Sequence, residues 1–128
     1  MGQPLPTSLR GIDIVMLGTT DLKAALAFYC DTLGLALKFQ SPGFAFLDAG
    51  AVTLCLSQPL AQSSSAIAGA TELVFRVADV TAAHQALAER GVQFVNEPRP
   101  VTPTDWAVNF LDPSGHKLSL FGPENAAA

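Results

Sequence analysis

The chain has 128 residues, is 49% hydrophobic and 14% charged, and carries a formal net charge of −4. That length suits one domain with a real hydrophobic core, and that composition argues against disorder. Seven basic against eleven acidic residues, with no Lys/Arg cluster, offer a nucleic-acid backbone little to bind, and no apolar run approaches the roughly 18 residues that cross a bilayer.

The opening MGQPLPTSLRG lacks the apolar core of an export signal. Gly2 follows the initiator Met, but Pro6 stands where a myristoylation pattern wants Ser or Thr. GIDIVMLG, residues 11–18, reads as a buried strand rich in β-branched and apolar side chains. Asp21 is placed to cap the helix that follows, and Leu22, Ala25, Leu26 and Tyr29 recur at the spacing of one helical face. Gly34 lets the chain leave that helix before a strand over residues 35–40. SPG at 41–43 turns it into a strand over 44–47, and DAGA leads into another over 52–56.

QPLAQSSSAIAG, residues 58–69, reads as an exposed link. Beyond it the order repeats, with a strand over 73–77, a helix over 80–90 and a strand over 92–95. NEPRPVTPTD reads as a loop stiffened by Pro98, Pro100 and Pro103. Strands over 106–111 and 117–121 then form a hairpin across DPSG. Cys30 and Cys55 fall in different elements, so free thiols in a cytoplasmic setting are expected.

The two halves match in detail, about 58 residues apart. Asp21 aligns with Asp79, Leu22 with Val80, and Ala24 and Ala25 with Ala82 and Ala83; one extra residue in the first helix then brings Gly34 opposite Gly91. One domain of two βαβββ modules follows, module one about 11–57 and module two about 70–122. The expected fold class is α+β, a concave mixed sheet backed by helices, with matched side chains around a shared cup. Period-two reading puts Ile12, Ile14 and Met16 on one strand face, Thr53 and Cys55 on another, and groups Glu72, Val74 and Arg76, and Lys117, Ser119 and Phe121. These polar-bearing faces are the expected cup walls.

DLKAALAFYCDTLGL and FLDPSGHKLSLF, in this order and spacing around an internal repeat, resemble the first-module signature and final hairpin of the vicinal oxygen chelate superfamily. That superfamily includes glyoxalase I, bleomycin-resistance proteins and extradiol dioxygenases, and the resemblance runs from about Gly11 to Phe121. It implies paired βαβββ modules and a homodimer whose cups include both subunits. It also implies four metal-ligand positions, which fall on Ile14, on Cys55 or the adjoining Leu54, on Glu72 and on Ser119. Ile14 offers no donor and Ser119 only a neutral hydroxyl, so Glu72 is the one good hard ligand and the set is incomplete.

His84 within the second helix and His116 after DPSG form no H-x-H or H-E-x-x-H pattern, and Ser63, Ser64 and Ser65 lie in no nucleophile elbow. What remains is an apolar cup with polar handles. Phe44, Phe46 and Trp106 are candidate aromatic walls, and Ile14, Cys55, Glu72, Arg76 and Ser119 complete the candidate ligand-binding set. Core packing is the competing role for the phenylalanines and Cys55. Structural pairing, with Arg76 as partner, is the competing role for Glu72.

The expected function is metal-independent binding or sequestration of a small apolar or aromatic molecule, without cofactor, by a homodimer that engages neither nucleic acid nor membrane. The alternative is a divergent lyase, isomerase or dioxygenase in which Glu72 is the catalytic base or a remaining ligand of an atypical divalent metal. A third reading is a ligand-binding regulatory subunit.

Overall fold

The computed structural model describes residues 12–63 and 71–126. The N-terminal segment, the second half of the serine-rich link and the final two residues lie outside them. Strand β1 (Ile14–Gly18) leads into helix α1 (Leu22–Leu26), which continues as a π-helical stretch, Ala27–Thr32. Strands β2 (Ala36–Ser41), β3 (Phe44–Ala49) and β4 (Val52–Ser57) complete the first module. Helix α2 (Gln58–Ser63) follows, then β5 (Glu72–Arg76), α3 (Val80–Glu89), β6 (Arg99–Pro100), β7 (Trp106–Leu111) and β8 (Lys117–Gly122).

The strands form two four-stranded mixed sheets of the same topology, β1-β4-β3-β2 and β5-β8-β7-β6. In each, the first and last strands of the module run parallel and the remaining pairs antiparallel. The fold is thus α+β, built of two βαβββ modules. The repeat extends to single bonds. Asp21 Oδ1 accepts from the Ala24 N–H at 3.0 Å, and Asp79 Oδ1 from the Ala82 N–H at 2.8 Å. Gly34 and Gly91 both leave their helices at positive φ, 85° and 90°. The extra residue of the first copy is absorbed where that helix widens to π geometry, the usual way a helix accommodates an insertion while keeping its two ends in register.

The core lies between the modules. Ala25, Tyr29, Leu47, Leu54 and Leu56 from the first half join Val80, Val108, Phe110, Leu118 and Leu120 from the second in one cluster. Polar bonds cross it at the β7–β8 turn. The Tyr29 hydroxyl donates to Asp112 Oδ2, and His116 Nε2 lies 2.7 Å from the Gly18 carbonyl oxygen. That oxygen can only accept, so Nε2 carries the proton. His84, on the second helix, packs edge-on against Phe94. Both histidines are structural.

Two expectations need correction. The strand read over 92–95 reduces to a single bridge, Phe94 to Phe110, and the module's second strand is β6 inside the proline-rich loop. The cause is Asn96, whose Oδ1 takes the Asn109 N–H at 2.8 Å and so occupies a donor that a continuing ladder would need. The link read over 58–69 opens with a helical turn. Ser57 Oγ accepts the Leu60 N–H at 3.1 Å, and Pro59 stands in the first turn, where its missing N–H costs nothing.

Candidate functional site

Alternation along each strand turns one face of each sheet toward the helices and the core and leaves the other open. On the first sheet, Leu17, Leu54, Leu56, Ala45 and Leu47 face the core, and Ile14, Met16, Thr53, Cys55, Phe44 and Phe46 take the open face. Cys55 sits in register between Met16 and Phe46 and is fully buried by its neighbours. Burial pushes its thiol above the usual range, so it stays protonated near neutral pH.

Phe39 joins this face through a bulge. The register shifts between Leu37 and Phe39, so Leu37 opposes Leu47 while Phe39 opposes Phe46. The Phe39 and Phe46 rings stack with centroids 4.4 Å apart and planes 15° from parallel, and Phe44 extends the row at 6.3 Å. Beside them Lys38 Nζ donates to Thr53 Oγ1 at 2.9 Å. Strict alternation would have put Phe39 on the face of Leu37, so the sequence held no signal for its place in the row.

The open face of the second sheet is polar. Glu72 Oε2 accepts from Asn109 Nδ2 at 3.3 Å, a bond that crosses β8 beside buried Ser119, and Glu72 Oε1 lies 3.6 Å from Lys117 Nζ. Asn109 Oδ1 accepts from Asn96 Nδ2 at 2.9 Å and Arg99 Nη2 at 3.0 Å. Arg76, read as the partner of Glu72, instead pairs with Asp105 at 3.8 Å and lies over the Phe121 ring, 5.1 Å from its centroid. Residues four apart on a strand are roughly 13 Å apart, whereas Glu72 and Lys117 are register neighbours. Asn109 carried a sequence signal, a lone amide in WAVNFL; Arg99 carried none, because its strand lies among prolines.

The expected site residues therefore fall into two groups. Ile14, Phe44, Phe46 and Cys55 share the first open face, and Glu72, Arg76 and Ser119 share the second. Among the described residues no hydrogen bond or ion pair joins the groups. A single chain does not close the expected cup, for Ile14, Met16 and Val74 stay 45, 47 and 56% exposed. Trp106 belongs to neither face. It alternates with Asn109 and packs, partly buried, against the core beside Val108 and Phe110. A cavity of about 370 Å³ opens on the helix-covered side, lined by Leu33, Leu35, Phe75, Leu87 and Phe110. Of the expected site residues only Arg76 borders it.

The donor set does not fit a divalent metal. Ile14 has no donor, Cys55 is a buried neutral thiol, Ser119 is a buried hydroxyl, and Glu72 is already engaged by Asn109 and Lys117. Among the described residues no three His, Cys, Asp or Glu side chains are grouped to hold an ion. Nor, among them, is any helix long and apolar enough to cross a membrane.

A model of the glyoxalase/bleomycin resistance protein/dioxygenase superfamily matches residues 11–120. An uncharacterized protein of Mycolicibacterium smegmatis is 34% identical over 113 residues, covering 88% of this chain and 93% of its own. Among solved structures, TnmS3, an antibiotic binding protein from Streptomyces sp. CB03234, superposes with a TM-score of 0.76 at 25% identity, over 91% of this chain and 98% of its own. Lactoylglutathione lyase from Agrobacterium tumefaciens gives a TM-score of 0.72 at 21% identity, over 88% and 93%. The latter shares the fold.

Proposed function

The chain belongs to the glyoxalase/bleomycin resistance protein/dioxygenase superfamily, whose fold serves small-molecule binding and catalysis, and we propose that this member binds a small apolar or aromatic molecule without a metal. The observation that carries the reading is the fate of Glu72. The one carboxylate at an expected ligand position is spoken for by Lys117 and Asn109, while Ile14, Cys55 and Ser119 leave it no partners around an ion. What the open faces offer instead is burial and stacking, chiefly the row Phe39, Phe46 and Phe44. The likeness to an antibiotic binding protein points the same way.

The cup closes between two copies, the first open face of one protomer meeting the second open face of its partner. Ile14, Met16, Phe39 and Val74 are exposed large apolar side chains on these faces, and a two-fold dimer covers both faces at once. Site residues separated in one chain are then neighbours across the interface.

The test is sedimentation together with titration of a planar apolar fluorophore, using protein purified without added metal and assayed by elemental analysis. A dimer that binds the dye saturably, with affinity unmoved by a chelator, supports the reading. A stoichiometric metal lost on Glu72→Gln, or binding abolished by the chelator, overturns it. Turnover of a substrate that disappears in Glu72→Gln while its binding persists points to the enzyme alternative.

A further inference from the structure

The acidic chain places its bases unevenly. Of seven Lys and Arg residues, Lys38, Arg76, Arg99 and Lys117 stand on the open sheet faces. Their states differ. Arg76 is matched by Asp105 at 3.8 Å. Lys117 is matched by Glu72 at 3.6 Å.

Arg99 is the distinctive one. Its guanidinium is held by two neutral acceptors, Asn109 Oδ1 at 3.0 Å and the Ala107 carbonyl at 3.4 Å. Among the described residues no carboxylate lies within 4.0 Å of it. A guanidinium has five N–H donors, so a fixed cation is left with donors to spare and no counter-charge. Asn109 is itself held by Asn96 and Glu72, so the fork is oriented before any ligand arrives. Lys38, on the corresponding edge strand of the first sheet, is likewise tied to a neutral group, Thr53 Oγ1. The carboxylate on the second face, Glu72, has its charge met by Lys117 and its Oε2 by Asn109 Nδ2.

We propose that the ligand is a planar aromatic acid. Its carboxylate docks on the free donors of Arg99, and its ring lies along the Phe39–Phe46 wall. The pairing of an aromatic row with an oriented, uncompensated guanidinium selects against both neutral and cationic rings of the same shape. The inference rests on the metal-free cup closing between two protomers, and it adds the charge of what the cup takes.

Three probes of one ring system separate the two levels: 9-anthracenecarboxylate, 9-anthracenemethanol and 9-anthracenemethylammonium, titrated by fluorescence into the full chain near neutral pH. We expect the carboxylate to bind at least about tenfold tighter than the alcohol, the size of one charge-assisted hydrogen bond, and the ammonium to bind weakest. Arg99→Gln removes the gap between acid and alcohol and leaves the alcohol's affinity in place. Arg99→Lys keeps part of the gap, and Lys23→Gln, an exposed change on α1, keeps all of it. The alcohol binding as tightly as the acid sinks the inference and leaves the cup standing. An unchanged gap in Arg99→Gln sinks it too, since the acid then docks elsewhere. If none of the three binds, the cup reading falls and takes the inference with it. The wild-type comparison needs no variant, so a misfolded Arg99→Gln does not shield the proposal.

Discussion

The Tyr29 hydroxyl donates a 2.8 Å hydrogen bond to Asp112 Oδ2, joining residues 83 positions apart in sequence. Tyr29 comes from the π-helical stretch of the first module, and Asp112 opens the β7–β8 turn of the second. The other oxygen of Asp112 accepts the backbone N–H groups of Ser114 and His116 at 2.9 and 2.8 Å. One carboxylate thus shapes the turn and ties it to the opposite module. The junction adds a polar tie to the apolar core that the two modules share.

Tyr29 is the chain's only tyrosine, so its ionisation is directly readable. Burial, and then the negative charge and hydrogen bond of Asp112, hold its phenol well above the ordinary value of 10.0. A group whose folded pKa is raised stabilises the fold fully below the unfolded value and loses that contribution as pH rises beyond it. Absorbance near 295 nm is therefore expected to show no tyrosinate as native protein passes pH 10.0, the signal arriving only with alkaline unfolding. Tyr29→Phe strands Asp112 Oδ2 in the core and is expected to lower urea stability by about 2 kcal/mol. A tyrosinate titrating at its ordinary value in folded protein contradicts the latch.

Gly122 ends β8 where the chain passes Val77. A Cβ built on Gly122 collides with the Val77 carbonyl oxygen, a backbone atom that cannot swing aside. The same region carries the Val77 N–H to Phe121 carbonyl bond at 3.0 Å, which extends the β5–β8 pairing. Gly122→Ala is expected to cost about 3 kcal/mol or more, through separation of these strands. Chemical denaturation checks it. A near-neutral effect means that β8 ends with more room than its geometry gives.

Much of this molecule was legible because its signals are local and repeated. The Asp caps, the glycines at positive φ and the alternation on β1, β5 and β8 each rest on a few consecutive residues, and each is found twice or confirmed by its partner strand. What escaped the sequence depended on long-range competition. The Asn96 side chain claimed a backbone donor 13 residues away and moved a strand, and a bulge at Lys38 brought Phe39 onto the open face. The side of the sheet that Trp106 takes was equally hidden, because a loop-adjacent position says nothing about strand parity, which turns it toward the core, partly buried. The residues of the open faces were partly readable; their division between two faces was not, since that depends on which sides of the sheets share the core.

The two cysteines give a direct check on the missing metal site. Burial raises the Cys55 thiol, and burial with the nearby Asp31 carboxylate raises that of Cys30. Thiols so shifted are protonated near neutral pH and react slowly. Ellman's reagent is expected to modify Cys30, which is half-buried, before fully buried Cys55, and to find both rapidly only in denaturant. Fast native reaction at Cys55 means a thiolate there, which restores it as a metal-ligand candidate.

Asp79 carries a duty that its repeat partner lacks. Asp21 Oδ1 caps α1, and Asp79 Oδ1 caps α3 in the same way, but Asp79 Oδ2 also accepts the Ala126 N–H at 2.9 Å. The bond from Ala82 and then that from Ala126 hold its carboxyl below the ordinary 3.8. A depressed carboxylate contributes stability that is present above its unfolded pKa and is lost as pH falls through the folded one. Thermal melts between about pH 5 and pH 2 should therefore show a fall in Tm that is shallower in Asp79→Asn, because the amide still caps the helix without titrating. Asp79→Ala should lower Tm by a few degrees at neutral pH, and by more than Asp21→Ala does, since it removes the bond to Ala126 as well as the helix cap. Equal losses from the two alanine variants mean that the Ala126 bond contributes nothing and that the two caps are energetically equivalent.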